Sequence, residues 1–406
     1  MENIHRFRNN QKAIPIGNQG WDKAHDQHLI DLKVKVSPNG SYRERETGHE
    51  FVNLCACGYL GLQNHPAVID GAIDALRSER VINTPISRTR MHLSILADLE
   101  AELSDLYRAR AMTALSASAT IAGVLPLIAS GHLAGGPPPV MVFDKFCHFS
   151  MNHMKPVCAD ETLVLTAPHN DLDYLEDVCK KHPHVAYVAD GVYSTGGAAP
   201  VKELLELQDR YGLFLFFDDS HSLAAWGERG EGYVRTHIPE MNPRTVVVCS
   251  LNKAFGGSGG VAMVATDEQV TLLSRFGGPM IWSQHLPVAS IGADLASARL
   301  QRTPELALRQ KRLQENVALF DSHIDTAEKG DGFAIRLVRI GSEEGAVEGS
   351  KEMMERGFYT SAVFFPVVER GKAGLRIMLR ADHDPADVLA FCEAVREFRE
   401  AAVVRG

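Results

Sequence analysis

Ser250-Leu251-Asn252-Lys253-Ala254-Phe255-Gly256-Gly257-Ser258-Gly259-Gly260 places one lysine between a serine and a run of glycines, directly after the apolar stretch Thr245–Cys249. A lysine so placed can form a Schiff base with an aldehyde cofactor, and Ser250 can hydrogen-bond a phosphate. The glycines let backbone come close to a ligand without side-chain clashes. Taken alone, the stretch also fits a nucleotide loop or a plain turn.

The second half of the signal lies upstream. Leu213-Phe214-Leu215-Phe216-Phe217 reads as a strand buried on both faces, and it runs into Asp218-Asp219-Ser220-His221-Ser222. In an open α/β sheet, ligand groups gather at the carboxyl ends of strands. A carboxylate there, followed three residues later by an imidazole, suits a pyridine ring. Asp218 would keep the ring nitrogen protonated and His221 would reach the phenolate oxygen. A helix-capping aspartate beside a solvated histidine is the plain alternative. With the lysine loop one strand later, pyridoxal 5'-phosphate is the cofactor expected, held on Lys253.

Strand-like runs at Pro139–Phe143, Leu163–Thr166, Val185–Ala189, Leu213–Phe217, Thr245–Cys249 and Gly260–Val264 alternate with helical stretches such as Asp171–Lys181 and Pro200–Tyr211. Such alternation implies an α/β fold with a mostly parallel sheet covered on both faces. Residues 1–50 read as an N-terminal arm with a short helix near Asp22–Lys33, and residues 51–290 as the large cofactor-binding domain. Residues 291–406 read as a linking helix, over about Ala293–Glu315, and a smaller C-terminal α+β domain.

Composition narrows the partners. The chain has 406 residues, 45% hydrophobic and 23% charged, with a net charge of -9. That balance disfavours nucleic acid or an anionic membrane, both of which need basic surface. Seven cysteines show no metal-ligand spacing, so no metal is expected, and they fit reduced thiols in the cytoplasm. No stretch approaches the length of a membrane span.

Six further motifs carry a resemblance. They are Gly58-Tyr59-Leu60-Gly61-Leu62 with His65-Pro66; Asp144 with His148 and Ser150; His169-Asn170-Asp171; Asp190-Gly191-Val192-Tyr193-Ser194 with Gly196-Gly197; His221-Ser222 with Gly227, Gly230 and Gly232; and Arg376 seven residues before His383. In this order, over about Asn53–Phe398, they resemble the α-oxoamine synthases, a family of fold-type I pyridoxal-phosphate transferases. The resemblance implies condensation of an amino acid with an acyl thioester, on coenzyme A or an acyl carrier protein, with loss of carbon dioxide to give an α-aminoketone. It implies that His148 stacks on the ring, that Ser194 acts with His221 near the phenolate, and that Arg376 anchors the amino-acid carboxylate. It also implies that Ala119 and Thr120 lie in the phosphate cradle, and that homodimers share sites, with Ser283 reaching the neighbour's phosphate.

The chain departs from the family pattern in places. Cys57 stands beside the substrate where the family has asparagine, and a longer entry motif shrinks to Ile86-Ser87-Arg88 and Leu99-Glu100. These changes point to secondary metabolism or signalling. An aminotransferase or C–C lyase of the same fold, and a non-catalytic regulatory subunit, are the alternatives.

Overall fold

Phe214–Asp218 and Thr245–Ser250 are buried at every residue, as strands sandwiched between helix layers must be. They lie at the centre of a seven-stranded sheet in the computed structural model, which describes residue 7 and residues 9–37, 40–365 and 367–405. The strands are β1 (Arg110–Ala114), β2 (Val140–Asp144), β3 (Val164–Ala167), β4 (Val185–Asp190), β5 (Phe214–Asp218), β6 (Thr245–Ser250) and β7 (Gly260–Val264). Their order is β1-β7-β6-β5-β4-β2-β3. Only β7 runs against its neighbours, so the mostly parallel α/β sheet read from the sequence is present.

The sheet belongs to the larger of two compact units, built mainly from Leu60–Ser194 and Ala198–Leu308. Its core joins Met112, Phe143, Val188, Phe216 and Val248 from the strands to the face Ile121, Val124, Leu125 and Ile128 of the helix Ala117–Ala129. That spacing is the 3.6-residue repeat of a helix lying on a sheet.

The second unit comprises Arg8–Tyr59, Thr195–Gly197 and Arg309–Gly406. Here Ala373–Met378 lies between Ile335–Gly341 and Ser361–Val363, antiparallel to both. Glu50–Asn53 pairs in parallel with Phe358–Tyr359, some three hundred residues away in the chain.

Three local expectations change. The N-terminal helix spans Asn9–Asp26, earlier than Asp22–Lys33, because His28 and Asp31 turn left-handed at φ 54° and 59° and end it. The linking helix is two helices, Val288–Gln301 and Pro304–His323. Proline lacks the N–H that would continue the first helix, yet it suits the first turn of the second. Strand β1 was not among the strand-like runs, since Arg-Ala-Met-Thr-Ala has one β-branched residue, Thr113, and no aromatic to mark a strand.

Candidate active site

The carboxyl ends of the parallel strands and the start of β7 fall on one edge of the sheet. Residue pairing sets Asp190 beside Asp218, and Gly260 beside both Ser250 and Ala114. The side chains that leave this edge form the site.

Lys253 Nζ is hydrogen-bonded to His221 Nε2 at 2.8 Å. Asp218, buried at the end of β5, accepts from the N–H and hydroxyl of Ser220, and that hydroxyl also accepts the Ser250 N–H at 2.8 Å. Beside it, Asp190 accepts the His148 N–H at 2.9 Å. Burial, and Asp218 alongside, push the Asp190 carboxyl well above the usual carboxylate range. Burial also pushes Asp219 up to about 7, against hydrogen bonds from Ser222 and the Val234 N–H. Two motif glycines make room for Asp219: a Cβ on Gly191 or Gly232 would lie 2.3 or 2.5 Å from its carboxylate oxygens.

The lysine loop is closed on itself. Lys253 carbonyl accepts from Gly256, Leu251 carbonyl from Gly257, and Gly259 carbonyl from Leu251, at 2.9–3.0 Å. It is also held from outside by the helix Val288–Gln301. Asp294 accepts the Ser258 N–H at 2.9 Å, and Ser297 donates its hydroxyl to the Phe255 carbonyl. Both residues are fully buried.

After β1, Ser116 caps the helix Ala117–Ala129 by accepting the Ala119 N–H at 3.1 Å. Thr120 is buried and donates its hydroxyl to the Ser116 carbonyl at 3.0 Å. The polar groups of Ala119 and Thr120 are thus used within the cap, and the first-turn N–H groups of Ala117 and Ser118 stand at the helix mouth. Gly260 lies so near this mouth that a Cβ there would be 2.4 Å from the Ala117 nitrogen.

The remaining expected residues are placed as follows. His148 is exposed, with its ring hydrogen-bonded to the Ser150 hydroxyl at 2.8 Å. Ser194 is half-buried in the turn after β4. The Ser250 hydroxyl donates to the Asn252 side chain. Ser283 is half-buried and donates to the Pro279 carbonyl. Cys57 and Arg376 belong to the second unit, where Arg376 pairs across strands with Ser361.

Two motif fragments prove to be fasteners. Arg88 makes a two-pronged ion pair with Glu100 at 2.8 and 3.0 Å, and Glu100 also accepts the N–H and hydroxyl of Thr113 on β1. At the end of β2, buried Asp144 accepts from the His169 ring, the Asn170 and Phe146 N–H groups and the Tyr187 hydroxyl, at 2.7–3.0 Å.

These residues fit pyridoxal phosphate on their own geometry. An amine, an imidazole and a buried carboxylate converge at strand ends, and a glycine-crowded helix N-terminus stands on the same edge for a phosphate.

Comparison with known proteins supplies the family. The model for aminotransferase class I and II matches residues 49–395. The chain belongs to the aminotransferase class I and II family.

Within this family its relatives are α-oxoamine synthases, as the motifs indicated. The 8-amino-7-oxononanoate synthase of Alkaliphilus metalliredigens is 29% identical over 348 residues, 83% of this chain and 84% of that protein. The Geobacter sulfurreducens enzyme of that name is 28% identical over 365 residues, 88% of this chain and 90% of its own length. Among solved structures, a lysine-to-alanine variant of serine palmitoyltransferase from S. paucimobilis with bound PLP–myriocin aldimine superposes with a TM-score of 0.84 at 20% identity, covering 98% of this chain and all of that one. The Francisella tularensis 8-amino-7-oxononanoate synthase gives 0.73 at 18% identity, covering 88% and 99%. These structural likenesses establish the fold-type I architecture.

Sequence reasoning gave no role to Asp190, Asp219, Asp294 or Ser297. Asp190 lies inside a family motif, so its place at a strand end was the available signal. Asp294 and Ser297 sit in a helix with no motif around them, and only their contacts reveal them.

Proposed function

We propose that this chain condenses an amino acid with an acyl thioester, releasing carbon dioxide and the thiol and leaving an α-aminoketone. The observation that carries the reading is the Lys253–His221 contact of 2.8 Å beside Asp218 at the strand ends. Bound pyridoxal phosphate supplies an aldehyde for Lys253 and a protonated pyridine that accepts the electron pair left when the substrate Cα–H bond breaks. Asp218 holds the proton on the pyridine nitrogen. Lys253 Nζ takes the Cα proton and returns it, acting as general base and acid. His221, with Ser194, would orient the phenolate side, and His148 would pack against the ring. Ser250 and the N–H groups at the Ser116 cap bind phosphate. Arg376 binds the amino-acid carboxylate with its guanidinium fork, a geometry suited to bidentate contact.

The donor is an acyl thioester of coenzyme A or a carrier protein. Cys57 and the shortened segment around Arg88 support a specialised product in secondary metabolism or signalling. A second copy of the chain is the expected partner, with Ser283 directed to the neighbour's phosphate. Trp282 beside it is 69% exposed, the kind of side chain an interface covers. Among the described residues, no helix is long and apolar enough to cross a membrane, and the working compartment proposed is the cytoplasm.

The test is product balance. With cofactor, an amino acid and an acyl thioester, the protein should release thiol and carbon dioxide in equal amounts. The Lys253→Ala variant should fold, lack the visible Schiff-base band and release neither. Formation of a keto acid from the amino acid alone would instead identify an aminotransferase.

A further inference from the structure

The seven cysteines divide sharply by position. Cys147, Cys158, Cys179, Cys249 and Cys392 are buried, whereas Cys55 and Cys57 are half-exposed. Both follow the strand Glu50–Asn53, in a turn fixed by Asn53, whose side chain accepts the N–H groups of Cys55 and Ala56 at 2.9 and 3.0 Å. The Leu54 carbonyl accepts the Met378 N–H at 2.8 Å, which seats this turn against the strand Ala373–Met378. Arg376 and Met378, two residues apart, share one face of that strand, and Ser361 stands opposite Arg376.

On this face the Cys55 thiol lies within reach of the Ser361 hydroxyl and the Arg376 guanidinium. The Cys57 thiol lies beside Tyr59, whose hydroxyl donates to the Met378 sulfur at 3.5 Å. The two thiols therefore lie near the face that carries Arg376 and Met378. Residues two apart have Cα atoms at most about 7 Å apart, and a disulfide takes about 4.4–6.8 Å, so the pair can close with a small tightening of the turn.

We propose that Cys55 and Cys57 form a thiol modification site that controls amino-acid binding at Arg376, closing to a disulfide in the presence of a low-molecular-weight disulfide. This rests on the reading of Arg376 as the carboxylate anchor. One cysteine thiolate attacks a sulfur of the small disulfide, breaking its S–S bond, forming a mixed disulfide and releasing one small thiolate. The other cysteine thiolate then attacks the protein sulfur of that mixed disulfide, closing Cys55–Cys57 and releasing the second. Two electrons pass to the small disulfide, and the cysteine protons end on the released thiols. Closure ties up the Cys55 sulfur and draws it toward Cys57, so the Arg376 guanidinium loses an acceptor beside it. Burial pushes the Cys55 thiol up despite the guanidinium beside it.

The test uses the holoenzyme and oxidised glutathione. Trypsin releases Glu46–Arg77, which carries Cys55 and Cys57 and no other cysteine. The expected result is loss of two hydrogens from this peptide, with the five buried cysteines unmodified. The tightest binder among the twenty proteinogenic amino acids should then bind at least about tenfold more weakly by calorimetry, with dithiothreitol restoring affinity. Cys55→Ser should lose this sensitivity to glutathione. A persistent mixed disulfide, or modification spread over the buried cysteines, overturns the inference. So does a closed disulfide with unchanged affinity. In that last case Arg376→Gln separates the two ideas: weakened binding leaves the anchor reading standing, and unchanged binding removes both.

Discussion

Asp190 and Asp218 end neighbouring strands in register, yet their surroundings give them different work. Asp190 is buried, accepts the His148 N–H and is driven toward its neutral form. An amide can replace a neutral acid that serves as an acceptor, so Asp190→Asn should leave kcat little changed. Asp218→Asn removes the charge proposed to hold the pyridinium. Its kcat should fall about 10²–10³-fold, the usual cost of losing one electrostatic stabiliser, with the fold intact by circular dichroism. Steady-state kinetics of the two variants, side by side, checks this asymmetry. Equal losses would show that the roles are shared. Asp218 was legible in the sequence because an acid follows an apolar run. The asymmetry was not, because it depends on the surroundings that burial creates.

At the scale of elements, the lysine loop and the helix Val288–Gln301 act as one part. Gly257 is glycine because a Cβ there would lie 1.8 Å from the Asp294 carboxylate. Burial pushes the Asp294 carboxyl well above its ordinary range, and its oxygen accepts the Ser258 N–H. Asp294→Ala leaves that buried donor unpaired and should cost about 1–3 kcal/mol, whereas Asp294→Asn keeps an acceptor and should stay near the parent. Gly257→Ala should destabilise the parent strongly and the Asp294→Ala variant less, since the clash is gone. A double-mutant cycle in urea measures this coupling, and strict additivity would contradict the packing. From sequence, the glycine run suggested close approach to a ligand. At Gly257 the structure shows close approach to the helix.

For the molecule as a whole, Asp144 ties three parallel strands together through His169, Asn170 and Tyr187. Burial raises its carboxyl, but the hydrogen bonds from His169 and the Asn170 and Phe146 N–H groups outweigh it, and the net shift is downward. A depressed folded value means that the contribution is fully present above the unfolded carboxyl range, about pH 4, and is lost as pH falls through the folded value. Asp144→Asn should lower Tm at neutral pH and flatten its fall in acid, as followed by calorimetry from pH 7 to 3. A parallel acid limb in the variant would assign the acid loss elsewhere. The sequence by itself determined the class of fold and set Asp218 and the Lys253 loop just past apolar runs, because such runs are local patterns that report burial and strand ends directly. Only the tertiary structure decided that Glu50–Asn53 joins Phe358–Tyr359, that Asp294 grips the lysine loop, and that Cys55 lies against Arg376. Those contacts join residues far apart in the chain, and a linear pattern holds no record of which distant groups burial will bring together.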